Sequence, residues 1–249
     1  MQLPCGFERL REGLPAAFCD DRTPCFGGSY PCVSVFPVPL TSVLSGASVR
    51  QLAYWRKQVP AFEPLLIPEG KRGRAFLYSI ADVVALRSIV YLREEKSLPK
   101  IRRAVGYLRA IEAEDWTHLA DYTLQRTEST IYVLRRDGSI VDLEAHPGHK
   151  MIDPGESIES VPMQKVLAPF KSQRGRDVPD FRHPRPHLTI QRDVLGGYPV
   201  LDGTRIPYDA VASLVADGVS NEAVLRLYPT APLASLQPAR ELSDLVLEA

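Results

Sequence analysis

The stretch Leu40–Lys57, LTSVLSGASVRQLAYWRK, constrains this chain more than any other. It predicts two short helices joined by a tight turn. Leu40, Val43 and Leu44 fall at helical spacing and stop at Ser45-Gly46, where glycine supplies the left-handed backbone that ends many helices. Ser48 then stands as an N-cap, with Gln51 three residues on at capping-box spacing. Val49, Leu52, Ala53 and Trp55 form the apolar set of the second helix, which leaves Arg50, Gln51, Tyr54, Arg56 and Lys57 to face outward. A helix entering a DNA major groove needs that division: apolar support behind, cationic and hydrogen-bonding groups in front. An ordinary helical hairpin with a solvated face satisfies the same pattern, so the stretch alone leaves both readings open.

Charge distribution bears on the choice. The 249-residue chain has zero net charge, but the balance is uneven. Residues 38–112 hold 13 Lys and Arg against 6 Asp and Glu, a surplus of +7, whereas residues 187–249 hold 4 against 8, or −4. A basic block around a helix-turn-helix pattern suits a phosphate backbone, and an acidic block suits a different, basic partner. No run of 18 or more apolar residues is present and the start lacks a signal-peptide pattern, so the expected compartment is the cytoplasm.

Downstream of the hairpin, Leu65-Leu66-Ile67 and Phe76-Leu77-Tyr78 flank a Pro, Gly and Lys/Arg segment, which predicts a β-hairpin with Lys71, Arg72 and Arg74 at its tip. Ser79 with Asp82 caps a helix carrying Ile80, Val83, Val84, Ile89 and Val90. Ser97-Leu98-Pro99 opens another, with Leu98, Ile101, Val105, Leu108 and Ile111 in helical period. This order, with LAYWRK, FLYSIADVVALRSIVYL and SLPKIRRAVGYL, resembles the MerR family of winged helix-turn-helix regulators over about residues 38–111. The resemblance implies a DNA-binding module acting as a homodimer on a two-fold operator. Its candidate DNA contacts are Ser48, Arg50, Gln51, Tyr54, Arg56 and Lys57 on the helix and Lys71, Arg72 and Arg74 on the wing. Trp55 and Tyr78 read as structural. Family members continue into a long dimerising helix, whereas this chain breaks near Glu114-Asp115.

Residues 1–37 carry all four cysteines, with no Cys-x-x-Cys pair and little periodicity, and are expected to form a disordered tail. In residues 113–170, the runs TIYVLR and SIVDL flank Asp137-Gly138, a strong hairpin signal inside a small β-containing connector. Residues 171–186, KSQRGRDVPDFRHPRP, read as a linker. His146, His149, His183 and His187 lie beside prolines in loops without a third ligand, so no metal site is expected.

Residues 187–249 predict a β arm and three helices. A strand at Leu188-Thr-Ile and the turns at Gly196–Val200 and Gly203–Pro207 come first. The helices carry Val211, Leu214 and Val215, then Ala223, Val224 and Leu227 inward, then Leu236, Ala239, Leu242, Leu245 and Val246. Pro238 fits the third only in its first turn. LGGYPVLDGTRIPYDAVASLVADGVSNEAVLRLYP resembles small VapB-type antitoxin domains built on an LGG-P and GTRIPV core, with Tyr208 where valine is usual. That resemblance implies a partner: a PIN-like, metal-dependent ribonuclease toxin. Arg205, Tyr208 and Arg226 are the candidate toxin contacts, Arg205 foremost because it sits between glycine and proline turns.

The expected fold is therefore mainly α with small β elements: a winged helix-turn-helix, a middle β unit and a three-helix C-terminal unit. The expected function is that of an antitoxin that silences a ribonuclease and represses its own operon, forming a hetero-oligomer with its toxin. The alternative is an effector-responsive regulator with a ligand pocket in residues 113–186 and no toxin. No phosphate loop, H-E-x-x-H or nucleophile motif points to an enzyme, and no cofactor is expected.

Overall fold

The computed structural model describes residues 35–60, 62–68, 70–113, 118–126, 130–134, 139–147, 163–173 and 175–249. The fold is mixed, with helices predominating over small antiparallel sheets of two or three strands. Most of the tail expected at residues 1–37 lies outside the described residues, as do Asp137, Gly138 and His149.

Helix α1 (Val38–Ser45) ends on Gly46 at φ 78°, whose N–H donates to the Ser42 carbonyl. Helix α2 (Val49–Trp55) begins in a complete capping box between Ser48 and Gln51, and α3 (Ile80–Leu92) in another between Ser79 and Asp82. Strands β2 (Gly70–Arg72) and β3 (Ala75–Tyr78) form the wing hairpin, so its first strand is not the expected Leu65–Ile67: Leu65 and Leu66 are buried as irregular chain, Lys71 and Arg72 lie within β2, and Gly73-Arg74 make the tip. Strand β1 (Phe36–Pro37) pairs with the other edge of β3, Phe36 opposite Tyr78. The unit thus reaches back past the expected boundary at residue 38: Phe36 is fully buried, and the Val35 N–H donates to the Tyr78 carbonyl. Helix α4 (Leu98–Ile111) completes this half, with Ile101, Val105 and Leu108 inside. Trp55 and Tyr78 are both buried.

Strands β4 (Thr123–Arg126), β5 (Ile131–Leu134) and β6 (Ile140–Asp142) make an antiparallel sheet in that order. The expected hairpin strands are β5 and β6, with Leu134 opposite Ile140; β4 had no signal of its own. The Arg126 guanidinium stacks 4.3 Å over Tyr91 and pairs with Glu94 at 2.8 Å and Glu95 at 3.1 Å, fixing the sheet to the end of α3. Asp142 folds back on its own chain. Its carboxylate accepts from the Thr130 hydroxyl and from the N–H groups of Glu144, Ala145 and His146.

Residues 171–186 are a packed strap rather than a linker. After α5 (Met163–Leu167), β7 (Phe170–Lys171) pairs with β8 (Asp177–Val178), and Val178 and Phe181 are buried. Arg87 of α3 holds the strap. It is fully buried and donates to the carbonyls of Val166 (2.6 Å), Leu167 (3.1 Å), Ala168 (2.7 Å), Pro179 (3.0 Å) and Leu44. The rings of Phe170 and Phe181 lie 5.1 and 5.9 Å from its guanidinium. Burial lowers its pKa to about 9, with Asp180 pulling the other way.

In the last block β9 (Leu188–Thr189) pairs with β10 (Val200–Leu201). Helices α6 (Tyr208–Ala216), α7 (Asn221–Leu227) and α8 (Leu236–Leu247) follow, with Pro238 in the first turn of α8. Helix α8 packs on both α6 and α1, and one hydrophobic core runs from Phe36 to Leu242. Leu227, expected inside, is 63% exposed. Two motif glycines mark close approaches between distant segments. A Cβ on Gly46 would lie 2.4 Å from Val178 Cγ2, and one on Gly197 would lie 2.4 Å from Ile80 Cδ1. Among the described residues no helix is long and apolar enough to cross a membrane.

Candidate nucleic-acid interface and partner surface

The nine candidate DNA contacts divide by what else holds them. Arg50 of α2, Lys57 just past its C-cap and Lys71, Arg72 and Arg74 of the wing are exposed, and Tyr54 is 47% exposed. Among the described residues none of these five cations enters an ion pair, so their charge is available to a phosphate. Ser48 and Gln51 are engaged with each other. The Ser48 N–H donates to Gln51 Oε1 at 2.8 Å and the Gln51 N–H to Ser48 Oγ at 3.2 Å, which fixes the start of α2 and occupies the Gln51 carbonyl. Arg56 belongs to the joint between α2 and the wing. Its guanidinium lies 4.4 Å over the Phe76 ring and donates to the Tyr78 hydroxyl. Burial raises the Tyr78 pKa, against the lowering effect of Arg56.

Sequence reasoning missed Arg102 and Arg103 on α4. The Arg102 guanidinium lies 5.2 Å from the Tyr54 ring and donates to the carbonyls of Tyr54 (3.4 Å) and Glu63 (3.0 Å). Arg103 beside it is exposed. Their adjacency is visible in SLPKIRRAVGYL, but their closeness to α2 is not, because the two helices lie some 50 residues apart in sequence.

At the C-terminal end, Arg205 is exposed on a turn with few degrees of freedom. Gly203 sits at φ 70°, the Thr204 hydroxyl donates to the Leu201 carbonyl at 2.9 Å and accepts from the Ile206 N–H at 3.1 Å, and the Leu201 N–H donates to the Ile206 carbonyl. Arg226 is also exposed, in the last turn of α7 beside Leu227. Tyr208 is not on this surface. It is 3% exposed and stacks on Tyr198 with ring centroids 5.7 Å apart, because the first turn of α6 lies against the β arm. Burial pushes its pKa up to about 12, and its place is in the core. Four of the six large apolar side chains left exposed among the described residues, Leu195, Leu227, Leu233 and Leu247, belong to this block, so it offers apolar contact area as well as Arg205.

A cleft of ≈ 730 Å³ opens between α1, the strap and the end of α8, lined by Val43, Gly46, Lys171, Arg176, Val178 and Arg185. Among the described residues no group of three or more His, Cys, Asp or Glu side chains could hold a metal ion.

Residues 188–241 match the family described as Protein of unknown function (DUF433). The uncharacterized protein y4eO of Sinorhizobium fredii is 26% identical over 157 residues, which cover 61% of this chain and 71% of that one. The crystal structure of Rv2018 from Mycobacterium tuberculosis aligns with 83% of this chain and 97% of its own at 13% identity, with a TM-score of 0.43.

Proposed function

We propose that this chain is an antitoxin that binds its operator through the winged half and silences a PIN-like ribonuclease through the C-terminal block. The observation that carries the reading is the pair of free cation sets on one body. Arg50, Lys57, Lys71, Arg72 and Arg74 lie exposed on a helix, just past its end and on an adjoining hairpin, the arrangement that meets a groove and its flanking phosphates. Arg205 stands on a rigid, exposed turn in a block of net charge −4. The acidic block steers toward the basic rim expected of an RNA-handling enzyme, and the guanidinium enters its acidic, metal-binding centre. A preorganised turn loses little entropy on docking. The chain itself performs no chemistry in this mechanism.

Co-expression of the full chain with its candidate toxin, encoded by a neighbouring reading frame, tests the reading. Wild type restores growth, and Arg205→Ala restores it poorly while the complex still co-purifies. Equal rescue by the Arg205→Ala protein overturns the role of that arginine, and a neighbouring product without ribonuclease activity overturns the antitoxin reading. The second reading, an effector-responsive regulator, draws support from the ≈ 730 Å³ cleft, part of whose lining comes from residues 169–179. It requires DNA affinity that changes with a small ligand and no co-purifying protein.

A further inference from the structure

A second cleft, of ≈ 480 Å³, lies between the loop after α2 and the outer side of α4, with Phe62, Glu63, Arg102, Arg103, Gly106 and Arg109 in its lining. Its lining thus holds three arginines against one acidic residue. Arg102 is 5% exposed, yet its partners among the described residues are two backbone carbonyls and the Tyr54 ring, with no carboxylate, and its Nε–H meets no acceptor. A buried guanidinium with no carboxylate beside it among the described residues leaves room for an anion to improve its electrostatics. Arg109 is held in place by the carbonyls of Pro64 at 2.8 Å and Leu65 at 2.7 Å. Its acidic neighbour Glu63, at 3.5 Å, is 72% exposed, and such a solvated pair gives way readily to a stronger anion. Between the arginines the helix surface is open: a Cβ on Gly106 would meet nothing within 4 Å.

We propose that this cleft binds a small phosphorylated anion, the arginines holding the phosphate and Phe62 meeting the uncharged part of the ligand. Guanidinium and phosphate match in charge and in bidentate geometry, and the volume lies in the range of small-molecule sites. The inference goes beyond the antitoxin reading and does not rest on it. It also gives the ligand a route to the DNA surface, because Arg102 lies over the Tyr54 ring and donates to the Tyr54 carbonyl of α2. A bound phosphate would draw on the same guanidinium that holds this exposed tyrosine.

Calorimetric titration of the full chain with pyrophosphate and with adenosine monophosphate, at fixed ionic strength and against a sodium chloride control, tests the proposal. Saturable one-site binding is expected, weakened about tenfold or more by Arg103→Gln, an exposed change at a charge-assisted contact. Gly106→Leu fills the open trough and is expected to abolish binding with an unchanged or raised melting temperature, since leucine favours the helix over glycine. Titrations indistinguishable from the chloride control, or affinities unmoved by both variants, overturn the proposal. A parallel gel-shift series on duplex DNA separates the other source of phosphate. If Arg103→Gln lowers the salt slope of DNA binding by about one while neither small probe binds, the cleft serves the DNA backbone and the small-ligand assignment fails.

Discussion

The winged half and the C-terminal block use their motif residues in opposite ways. In the first, the helix-turn-helix pattern leaves Arg50, Lys57, Arg72 and Arg74 exposed at the surface, while Ser48, Gln51 and Arg56 are drawn into holding the shape. In the second, the motif that looks most specific is mostly internal. Gly197 lies against Ile80, Tyr208 is buried on Tyr198, and Thr204 closes its own turn, which leaves Arg205 exposed. The difference teaches that a dense motif marks either a surface that must be presented or a joint that must close. Arg87 ties α3 and α1 to α5 and to the strap that leads into the C-terminal block, so the first way to break the comparison is to remove Arg87. Arg87→Met removes the donors that five carbonyls share, of which that of Leu167 keeps the Phe181 N–H, and loss of a buried hydrogen-bonding hub is expected to cost about 3–5 kcal/mol. Urea unfolding of the full chain measures it. A cost below about 1 kcal/mol would mean that the strap is held by its apolar contacts alone.

A pair of glycines sharpens the same contrast. Gly46 and Gly203 both adopt left-handed backbone, at φ 78° and φ 70°. Alanine at Gly203 meets nothing within 4 Å, so the change is expected to cost only the left-handed backbone term, about 1 kcal/mol. Alanine at Gly46 carries that term and also runs into Val178, whose β-branched side chain is stiff, so about 2–3 kcal/mol is expected. Thermal denaturation of the two variants should therefore rank Gly46→Ala well below Gly203→Ala. Adding Val178→Ala to Gly46→Ala should recover part of the clash, but not the backbone term. Equal losses for the two glycines would show that the strap yields freely to α1.

How far these features were legible follows from how local they are. The two capping boxes were readable because donor and acceptor sit three residues apart, and both formed. A hairpin ending at Tyr78 and the pairing of β5 with β6 were readable from apolar runs around turns, but the first strand of the former is Gly70–Arg72 and not the apolar run Leu65–Ile67. Arg87 was not, because its acceptors at Val166, Leu167, Ala168 and Pro179 lie 79 to 92 residues away and nothing in the helix pattern sets it apart from a surface arginine. The strap looked like a linker for a related reason. Its prolines and charges are real, but Val178 and Phe181 carry its packing, and two apolar residues make no period. Of the candidate site, charge type pointed to the exposure of Arg50, Lys57, Lys71, Arg72 and Arg74. The partners of Arg56, Gln51 and Tyr208 were not legible, because aromatic rings and a cap compete for those side chains.

The middle sheet offers a smaller effect with a definite sign. Burial raises the Asp142 pKa, but the Thr130 hydroxyl and the N–H groups of Glu144, His146 and Ala145 lower it by more, so the net shift is downward from 3.8. The folded chain therefore binds fewer protons at this site than the unfolded chain. The stabilisation is present above pH 3.8 and is lost as pH falls through that value toward the lower folded pKa. Asp142→Asn should cost about 1–2 kcal/mol at neutral pH and flatten the acid limb of the stability profile. An unchanged acid limb would assign the loss to other carboxylates.

The smallest effect separates a free cation from a committed one within the winged half itself. Arg74 is exposed in the turn at the wing tip and has no ion-pair partner among the described residues. Arg74→Ala is expected to leave stability within about 0.5 kcal/mol and to reduce the salt slope of DNA binding by about one, the loss of a single phosphate contact. Arg56 carries the same charge but stacks on Phe76 and donates to Tyr78. Arg56→Ala should therefore cost about 1 kcal/mol of stability, with a weaker effect on the salt slope, because its charge already faces an aromatic joint. Gel shifts at several salt concentrations, set beside melting curves, read both quantities on both variants. If Arg56→Ala changes the slope as much as Arg74→Ala and leaves the melting temperature alone, then Arg56 leaves its joint to meet the DNA. The boundary between presented and committed residues would then shift when DNA binds.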